Sequence, residues 1–256
     1  MSKGLSGRGV VITRPREHAP ALAERIRAAG GDPILFPTIE ILPPQDEGPA
    51  ARIITRLQDF QLAIFVSPTA VMRGLALVSA SRSWPAGVRV AAVGAGTAAA
   101  LVERGFREVI SPSGEADSEA LAALDELRET RGRQVVIFRG QGGREWLGRE
   151  LDARGARVEY AECYRRARPQ ADVRGLLARW QTGAIEAVSI TSSEGLENFF
   201  SMLGPTGGRY LRATPVFVPH PRIARAAREL DVREVLVTGG GDDRAVAEMA
   251  AFFARV

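Results

Sequence analysis

The chain has 256 residues, of which 45% are hydrophobic and 25% are charged, and its formal net charge is +4. This composition excludes disorder over most of the length, because enough apolar surface is available to offset chain entropy. The single cysteine, Cys163, excludes disulfide frameworks and structural zinc clusters, and two histidines argue against a histidine-rich metal site. No apolar run reaches membrane-spanning length, and the first nine residues lack a signal-peptide core, so we predict a cytoplasmic protein with no membrane partner.

Nearly all the positive charge comes from arginine, since Lys3 is the only lysine. A chain rich in alanine, arginine and glycine is typical of a GC-rich genome, which accounts for this bias without any functional role. A modest positive balance also suits an anionic ligand. The arginines are scattered, and no basic run is interleaved with aromatic residues, so we predict no nucleic-acid partner.

The first half of the chain alternates short apolar runs with helical patterns. The apolar runs at residues 10–13, 62–66 and 88–93 predict buried strands. The glycine pair at residues 30–31 predicts the end of the first helix. Apolar residues recur at helical spacing after the first two runs, namely Leu22, Ile26 and Ala29, then Val71, Leu75 and Val78.

The second half repeats this alternation of strands and helices. Continuous apolar strands separated by amphipathic helices are typical of parallel sheets that are covered on both faces. We therefore predict the α/β class, with two similar doubly wound, flavodoxin-like parallel-sheet domains. The second-half strands are predicted at residues 135–138, 187–190, 216–218 and 235–237, and the helix after Ser193 carries Leu196, Phe199, Phe200 and Leu203 on its inward face.

An internal repeat relates the two halves at one fixed offset. The stretch VVITRPREHAPALAERIRAAGGDPILF resembles VVIFRGQGGREWLGRELDARGARVEYA, so that Arg14 aligns with Arg139 at a separation of 125 residues. The same separation aligns Ser67 with Ser192. One register kept across several strand–helix joints indicates two copies of one structural unit.

Each copy also contains one segment that alternates apolar and polar residues and ends in proline. These segments, residues 36–44 and 159–169, are predicted as extended connectors rather than buried strands. Their similar positions in the two copies indicate a paired hinge between the domains.

Ligands of doubly wound sheets bind beyond the carboxyl ends of the strands, where helix N-termini attract anions. The loops predicted at those ends are rich in Gly, Ser, Thr, Pro and Arg, although Ser and Thr are also ordinary helix N-caps. We expect the two domains to face each other across a cleft lined by these loops. The candidate substrate-binding residues are Thr13, Arg14, Ser67, Thr69, Gly94, Thr97, Arg139, Gly140, Gly142, Ser192, Ser193, His220 and Arg222.

Other site chemistries find little support in the sequence. The segment VAAVGAGTAAAL resembles a dinucleotide-binding loop, but the next strand lacks the acidic residue that holds a ribose, so an NAD(P)-dependent oxidoreductase is a minor alternative. The sequence has no Walker lysine and no nucleophile elbow. Asp242 and Asp243 open a helix, where acids complement the dipole, and His220 either contacts a ligand or caps a helix.

Two neighbouring residues of the second connector differ in their predicted roles. Alternation predicts that Cys163 is a half-buried packing residue and that Tyr164 lies on the opposite face. A tyrosine facing a cleft is protonated at neutral pH and can donate a proton or a hydrogen bond. Packing between domains is the alternative role for Tyr164.

Five segments, taken in chain order, resemble the uroporphyrinogen-III synthase family. They are VVITRPREHAPALAERIRAAGGDPILFPTIEI, FVSPTAV, VAAVGAGTAAAL, IFRGQGGREWLGRELDARGARVEYAECYRR and ITSSEGLENF. The resemblance extends from about residue 9 to about residue 250. Each motif alone is loose, whereas the ordered set combined with the repeat is much more specific.

The resemblance implies a discontinuous first domain joined to the second by a two-stranded connector. Domain 1 then comprises residues 1–36 and 168–256, domain 2 comprises residues 45–160, and the connectors are residues 37–44 and 161–167. The resemblance also implies a monomer that uses no metal and no organic cofactor.

The family closes hydroxymethylbilane, a linear tetrapyrrole polycarboxylate, into uroporphyrinogen III for haem biosynthesis, losing water and inverting the last ring. The resemblance thus implies a cyclising lyase with a small-molecule substrate. Tyr164 matches a tyrosine of the family's connector and is the candidate catalytic acid, and Ser192 matches a serine near the cleft, whereas His220 and Arg222 depart from the family pattern. The alternative is a non-catalytic two-domain module, derived from such an enzyme, that binds a tetrapyrrole or another polyanion without turnover.

Overall fold

The computed structural model describes residues 4–113 and 117–255. Short strands and helices alternate along the chain, as the apolar runs predict. The strands are β1 (Gly9–Ile12), β2 (Asp32–Leu35), β3 (Glu40–Leu42), β4 (Leu62–Phe65), β5 (Arg89–Ala92), β6 (Val109–Ile110), β7 (Gln134–Gly140), β8 (Arg157–Ala167), β9 (Ala187–Ser189), β10 (Val216–Val218) and β11 (Val235–Val237).

The helices connect successive strands and begin where strands end. Within the described ranges, no helix is both long and apolar enough to cross a membrane. The helices are α1 (Pro20–Ala28), α2 (Gly48–Thr55), α3 (Pro68–Ser79), α4 (Ala95–Val102), α5 (Ser118–Ala122), α6 (Asp125–Arg128), α7 (Trp146–Ala153), α8 (Val173–Gln181), α9 (Ser193–Ala213), α10 (Pro221–Glu229) and α11 (Asp242–Phe253).

The chain forms two compact units, each built on its own sheet. Unit 1 combines the chain up to Glu40 with the chain from Ala167 onward, and unit 2 runs from Ile41 to Arg166. The sheet of unit 1 has the order β11-β10-β9-β1-β2, and that of unit 2 has the order β3-β8-β7-β4-β5-β6. Neighbouring strands pair in parallel among β1, β2 and β9–β11 in unit 1, and among β4–β8 in unit 2. The predicted class, α/β with two doubly wound parallel sheets, is confirmed.

The sheet registers confirm the internal repeat. In unit 1 Gly9 pairs with Asp32, and the residues 125 positions later, Gln134 and Arg157, pair in unit 2. The same offset relates two further register pairs of unit 1 to pairs of unit 2. Val10–Ala187 corresponds to Val135–Leu62, and Val216–Val235 corresponds to Ala91–Ile110. The two units are therefore copies in strand pairing as well as in sequence.

Apolar residues cover both faces of the sheet in unit 1. Val10 and Ile12 point to one face and pack with residues of α1 and α11, such as Leu22. Val11 points to the other face and packs with residues of α8, α9 and α10, including Phe199. This is why β1 is apolar at every position instead of alternating.

One face of the sheet in unit 2 is closed by aromatic packing beneath α3. The rings of Phe65 and Phe138 stack with their centroids 4.6 Å apart. Gly74 of α3 lies directly over Phe138, and Val71 and Val78 are buried on the same side of the helix. Leu75 is predicted to point inward but is only half-buried, because the helix comes closest to the sheet at Gly74.

The prediction of extended connectors is wrong for the second segment. β8 pairs with β7 from Arg157 to Tyr164 and belongs to the sheet. It lies beside the short edge strand β3, and most of its residues are only partly buried, so its sequence alternates instead of being continuously apolar. A half-exposed strand near a sheet edge therefore has the same sequence pattern as a connector.

We expect Gly74→Ala to destabilise unit 2. A Cβ atom at residue 74 would lie 2.6 Å from Cδ1 of Phe138, and overpacking of a core costs about 1–3 kcal/mol. Gly96→Ala is the matched control, since Gly96 is also helical but its Cβ would meet only Cγ of Pro68 at 4.0 Å. The control should be neutral or stabilising by up to about 1 kcal/mol. Urea unfolding measures both variants, and equal midpoints would contradict the proposed crowding.

Candidate functional site

The carboxyl edge of the sheet in unit 1 is formed by helix caps. Ser192 follows β9 and accepts a hydrogen bond through Oγ from the Gly195 N–H at 2.9 Å. His220 follows β10 and accepts through Nδ1 from the Arg222 N–H at 3.0 Å. Ser193 is the first residue of α9, and Arg222 is exposed near the start of α10. The structure thus places these four predicted residues at the N-termini of two neighbouring helices.

Thr13 and Arg14 at the end of β1 are already engaged within unit 1. Thr13 is buried and donates through Oγ1 to the Ser189 carbonyl at 2.8 Å. Arg14 forms a 2.6 Å ion pair with Asp242 at the start of α11. Asp242 therefore does more than complement the helix dipole, because it also neutralises a predicted substrate-binding arginine.

The carboxyl edge of unit 2 is also formed by helix caps. Ser67 follows β4 and accepts through Oγ from the Ala70 N–H at 3.1 Å, and Gly94 is the N-cap residue of α4. Thr69 and Thr97, in the first turns of the two helices, are buried. These two threonines therefore face the protein interior rather than the open edge.

Arg139, which the repeat aligns with Arg14, is an internal residue. Only 7% of its surface is exposed. It pairs with Glu162 at 2.9 Å, lies 3.9 Å from the ring centroid of Tyr160, and donates to the Gly143 carbonyl at 3.2 Å. These contacts fix the loop after β7 and leave little of the guanidinium for a ligand.

Tyr164 reaches the same edge through a β-bulge. Arg139 lies opposite Glu162 and Gly140 lies opposite Tyr164, so Cys163 is the extra residue of β8. The bulge explains why Cys163 and Tyr164 are both buried, although strict alternation predicts opposite faces. Bulges re-aim side chains, and this one turns Tyr164 toward α3.

The hydroxyl of Tyr164 lies 3.2 Å from Oγ of Ser67. Its ring packs against Gly140, where an added Cβ would lie 2.7 Å from Cε2 of the tyrosine. Gly140 is therefore required to make room for the ring, whereas Gly142, with φ of 70°, allows the turn that follows. Tyr164 is 2% exposed, so its side chain is buried, and its role toward a cleft stays a prediction.

Sequence reasoning missed the residues that hold Arg139. Glu162 and Tyr160 lie two positions apart on β8, on the face that meets the arginine. Their period of two would have identified them once the segment was recognised as a strand beside β7. Trp146 was also missed, although it begins α7 just after the glycine-rich loop and is 37% exposed.

Cys163 is more deeply buried than predicted, with 3% of its surface exposed. Its thiol lies 3.3 Å from the Arg139 carbonyl and 3.8 Å from the Ala70 carbonyl. Burial raises the pKa of the Cys163 thiol from 9.0 to about 12. The thiol is consequently a packing group of unit 2 and a poor nucleophile at neutral pH.

We expect the folded protein to resist thiol reagents at pH 8. The chain has one cysteine, so a chromogenic disulfide reagent should report almost no thiol in native buffer and one thiol in urea. The pKa shift also predicts that stability from the neutral thiol is present below about pH 9 and is lost as pH rises toward 12. Native labelling as fast as that of the unfolded chain would contradict this burial.

The chain is similar to known proteins in both sequence and structure. A family model described as "Uroporphyrinogen-III synthase HemD" matches residues 20–239. The uroporphyrinogen-III synthase of Salmonella typhimurium is 35% identical, and that of Escherichia coli 32%, each over 240 residues that cover 93% of this chain and 97% of the relative.

Solved structures agree with the observed fold. A mutant uroporphyrinogen III synthase from Thermus thermophilus aligns with a TM-score of 0.64 at 18% identity, covering 98% of this chain and 100% of that one. The synthetase from Helicobacter pylori aligns with a TM-score of 0.59 at 15% identity, covering 96% and 99%. The resemblance drawn from the five sequence segments is confirmed, and the chain belongs to the uroporphyrinogen-III synthase family.

Proposed function

We propose that the protein converts hydroxymethylbilane into uroporphyrinogen III, as a cyclising lyase of tetrapyrrole biosynthesis. Family membership supports this, because relatives carrying that name match over 97% of their own length. The two edges of helix N-termini support an anionic substrate, since free N–H groups and helix dipoles attract carboxylates. The net charge of +4 acts in the same direction.

The contact between the hydroxyls of Tyr164 and Ser67 is the observation that supports the proposed chemistry. The pair lies beside the N-terminus of α3, where the positive end of the helix stabilises a developing tyrosinate. A buried tyrosine is held in one orientation, which suits directed proton transfer. Because Tyr164 is buried, the proposal requires its hydroxyl to become accessible when substrate binds.

In the proposed reaction Tyr164 protonates the terminal hydroxyl as its C–O bond breaks, and water leaves with the bonding electrons. The lone pair of the adjacent pyrrole nitrogen replaces those electrons and gives an azafulvenium cation. The substituted carbon of the last ring attacks this cation, and the spiro-pyrrolenine fragments and recloses with that ring inverted. The proton released on reclosure returns to the tyrosinate, so the net change is loss of one water. The protein contributes mainly by holding the chain in position.

We divide the candidate residues by how they would contribute to binding. Ser193, His220, Arg222 and Gly94 lie at helix N-termini and are proposed to meet substrate carboxylates together with the backbone N–H groups. The buried or paired residues are proposed to shape the loops rather than to bind: Thr13, Arg14, Thr69, Thr97, Arg139, Gly140 and Gly142. Ser192 caps α9 and is proposed to act through that helix N-terminus.

We also propose that the protein is a monomer and that it is located in the cytoplasm. The Salmonella and Escherichia relatives named above are bacterial enzymes of comparable length. Two compact units of ordinary domain size, each built on its own sheet, support a monomer.

Purified protein given hydroxymethylbilane should form the type III isomer of uroporphyrinogen. Without an enzyme the bilane closes to the type I isomer, because nothing inverts the last ring. Chromatography of the oxidised products separates the two isomers, and heat-denatured protein is the control. Binding of the bilane with type I as the only product would favour the non-catalytic binding module instead.

Tyr164→Phe should lower kcat by roughly a hundred-fold if the tyrosine is the general acid. The ring and its packing against Gly140 are retained, so the unfolding midpoint should change little. Tyr210→Phe is the matched control, since Tyr210 stacks on Trp180 in unit 1 and has no place in the proposed chemistry. Full activity of Tyr164→Phe would remove the residue from the acid role and leave the overall activity standing.

A further inference from the structure

Ser67 makes two contacts through one oxygen atom. Oγ accepts a hydrogen bond from the Ala70 N–H at 3.1 Å and lies 3.2 Å from the hydroxyl of Tyr164. The first contact is the N-cap of α3 and fixes the position of Oγ. The second links that cap to the side chain proposed as the acid.

Either hydroxyl can donate in the second hydrogen bond, and the count of protons and lone pairs allows Ser67 to be the donor. A serine hydroxyl has one proton to donate and two lone pairs. The Ala70 N–H takes one lone pair of Ser67, which leaves the serine proton free to be donated to Tyr164. Tyr164 then keeps its own proton available for a substrate oxygen. Accepting from the helix N-terminus also polarises the serine O–H and makes it a better donor.

The equivalent serine of unit 1 caps a helix without a tyrosine contact, so capping does not require that contact. Ser192 stands 125 residues after Ser67 and caps α9 in the same way, with Oγ 2.9 Å from the Gly195 nitrogen. The position equivalent to Tyr164 in unit 1 is Ile39, which has no hydroxyl. Capping therefore uses a serine in both units, whereas the tyrosine contact belongs to unit 2.

We propose that Ser67 is a positioning residue for Tyr164: it donates its hydroxyl proton to the tyrosine oxygen, aims the tyrosine proton at the leaving hydroxyl and stabilises the tyrosinate that forms. This inference rests on the proposed acid role of Tyr164. As Tyr164 loses its proton, the Ser67 hydrogen bond becomes charge-assisted and strengthens. An interaction that strengthens only in the transition state raises kcat without changing KM.

Steady-state kinetics on the full chain with hydroxymethylbilane tests this role. Ser67→Ala should lower kcat about ten-fold with KM nearly unchanged, because a hydrogen bond to a developing charge is lost. Ser67→Thr keeps the hydroxyl and should restore most of the rate. Asp172→Ala is the control for loss of a cap alone, since Asp172 accepts from the Gly175 N–H at 2.9 Å to cap α8 in unit 1. Asp172→Ala should lower the unfolding midpoint about as much as Ser67→Ala does, and it should leave kcat unchanged.

A double-mutant cycle with Tyr164→Phe separates the possible results. If Ser67 acts through the tyrosine, the double variant Ser67→Ala/Tyr164→Phe should be no slower than Tyr164→Phe alone. Losses that multiply would overturn the inference, because Ser67 would then act independently of Tyr164. Normal kcat in Ser67→Ala together with a slow Tyr164→Phe would also overturn it, while leaving the acid role intact. Normal kcat in Tyr164→Phe would end both the acid role and this inference.

Discussion

Parallel pairing within each sheet, of β1 with β2 and β9 and of β7 with β4 and β8, is the constraint on which the architecture of both units depends. Parallel neighbours cannot be joined by a tight turn, so each connection must cross back over the sheet, and helices cover both faces. The same geometry brings the carboxyl ends of the strands to one edge of each sheet. The helices that follow these strands start at those edges, so that Ser67 and Gly94 are N-cap residues in unit 2, and Ser192 and His220 are N-cap residues in unit 1. The proposed anion-binding edges are thus a direct consequence of strand direction.

Features with a strong local cause could be predicted from the sequence. The apolar runs specify the strands, and the fixed offset of the repeat anticipates the shared registers. Ser192 and Ser67 sit where capping chemistry expects them. The family was also recognisable, because several loose motifs keep one order along the chain.

Features that depend on side chains meeting across the fold could not be predicted. The bulge at Cys163 is visible only when β8 is placed against β7, and it overrides the alternation that separates Cys163 from Tyr164. The pairing of Arg139 with Glu162 joins residues 23 positions apart, and the period of two in β8 indicates it only once β8 is placed beside β7. Sequence marks an arginine as a possible ligand for anions, but its partners decide whether its charge is free.

The two units share one spatial order of strands but differ in where the chain enters it. Unit 1 begins with the pair β1–β2, whereas unit 2 ends with the equivalent pair β7–β8. During synthesis on the ribosome, unit 2 is therefore complete once residue 166 has emerged, while β1 still lacks its neighbour β9. The nascent chain carries an unpaired edge of β1 until β9 has been translated, and at such an edge chaperones or misassembly compete with correct folding.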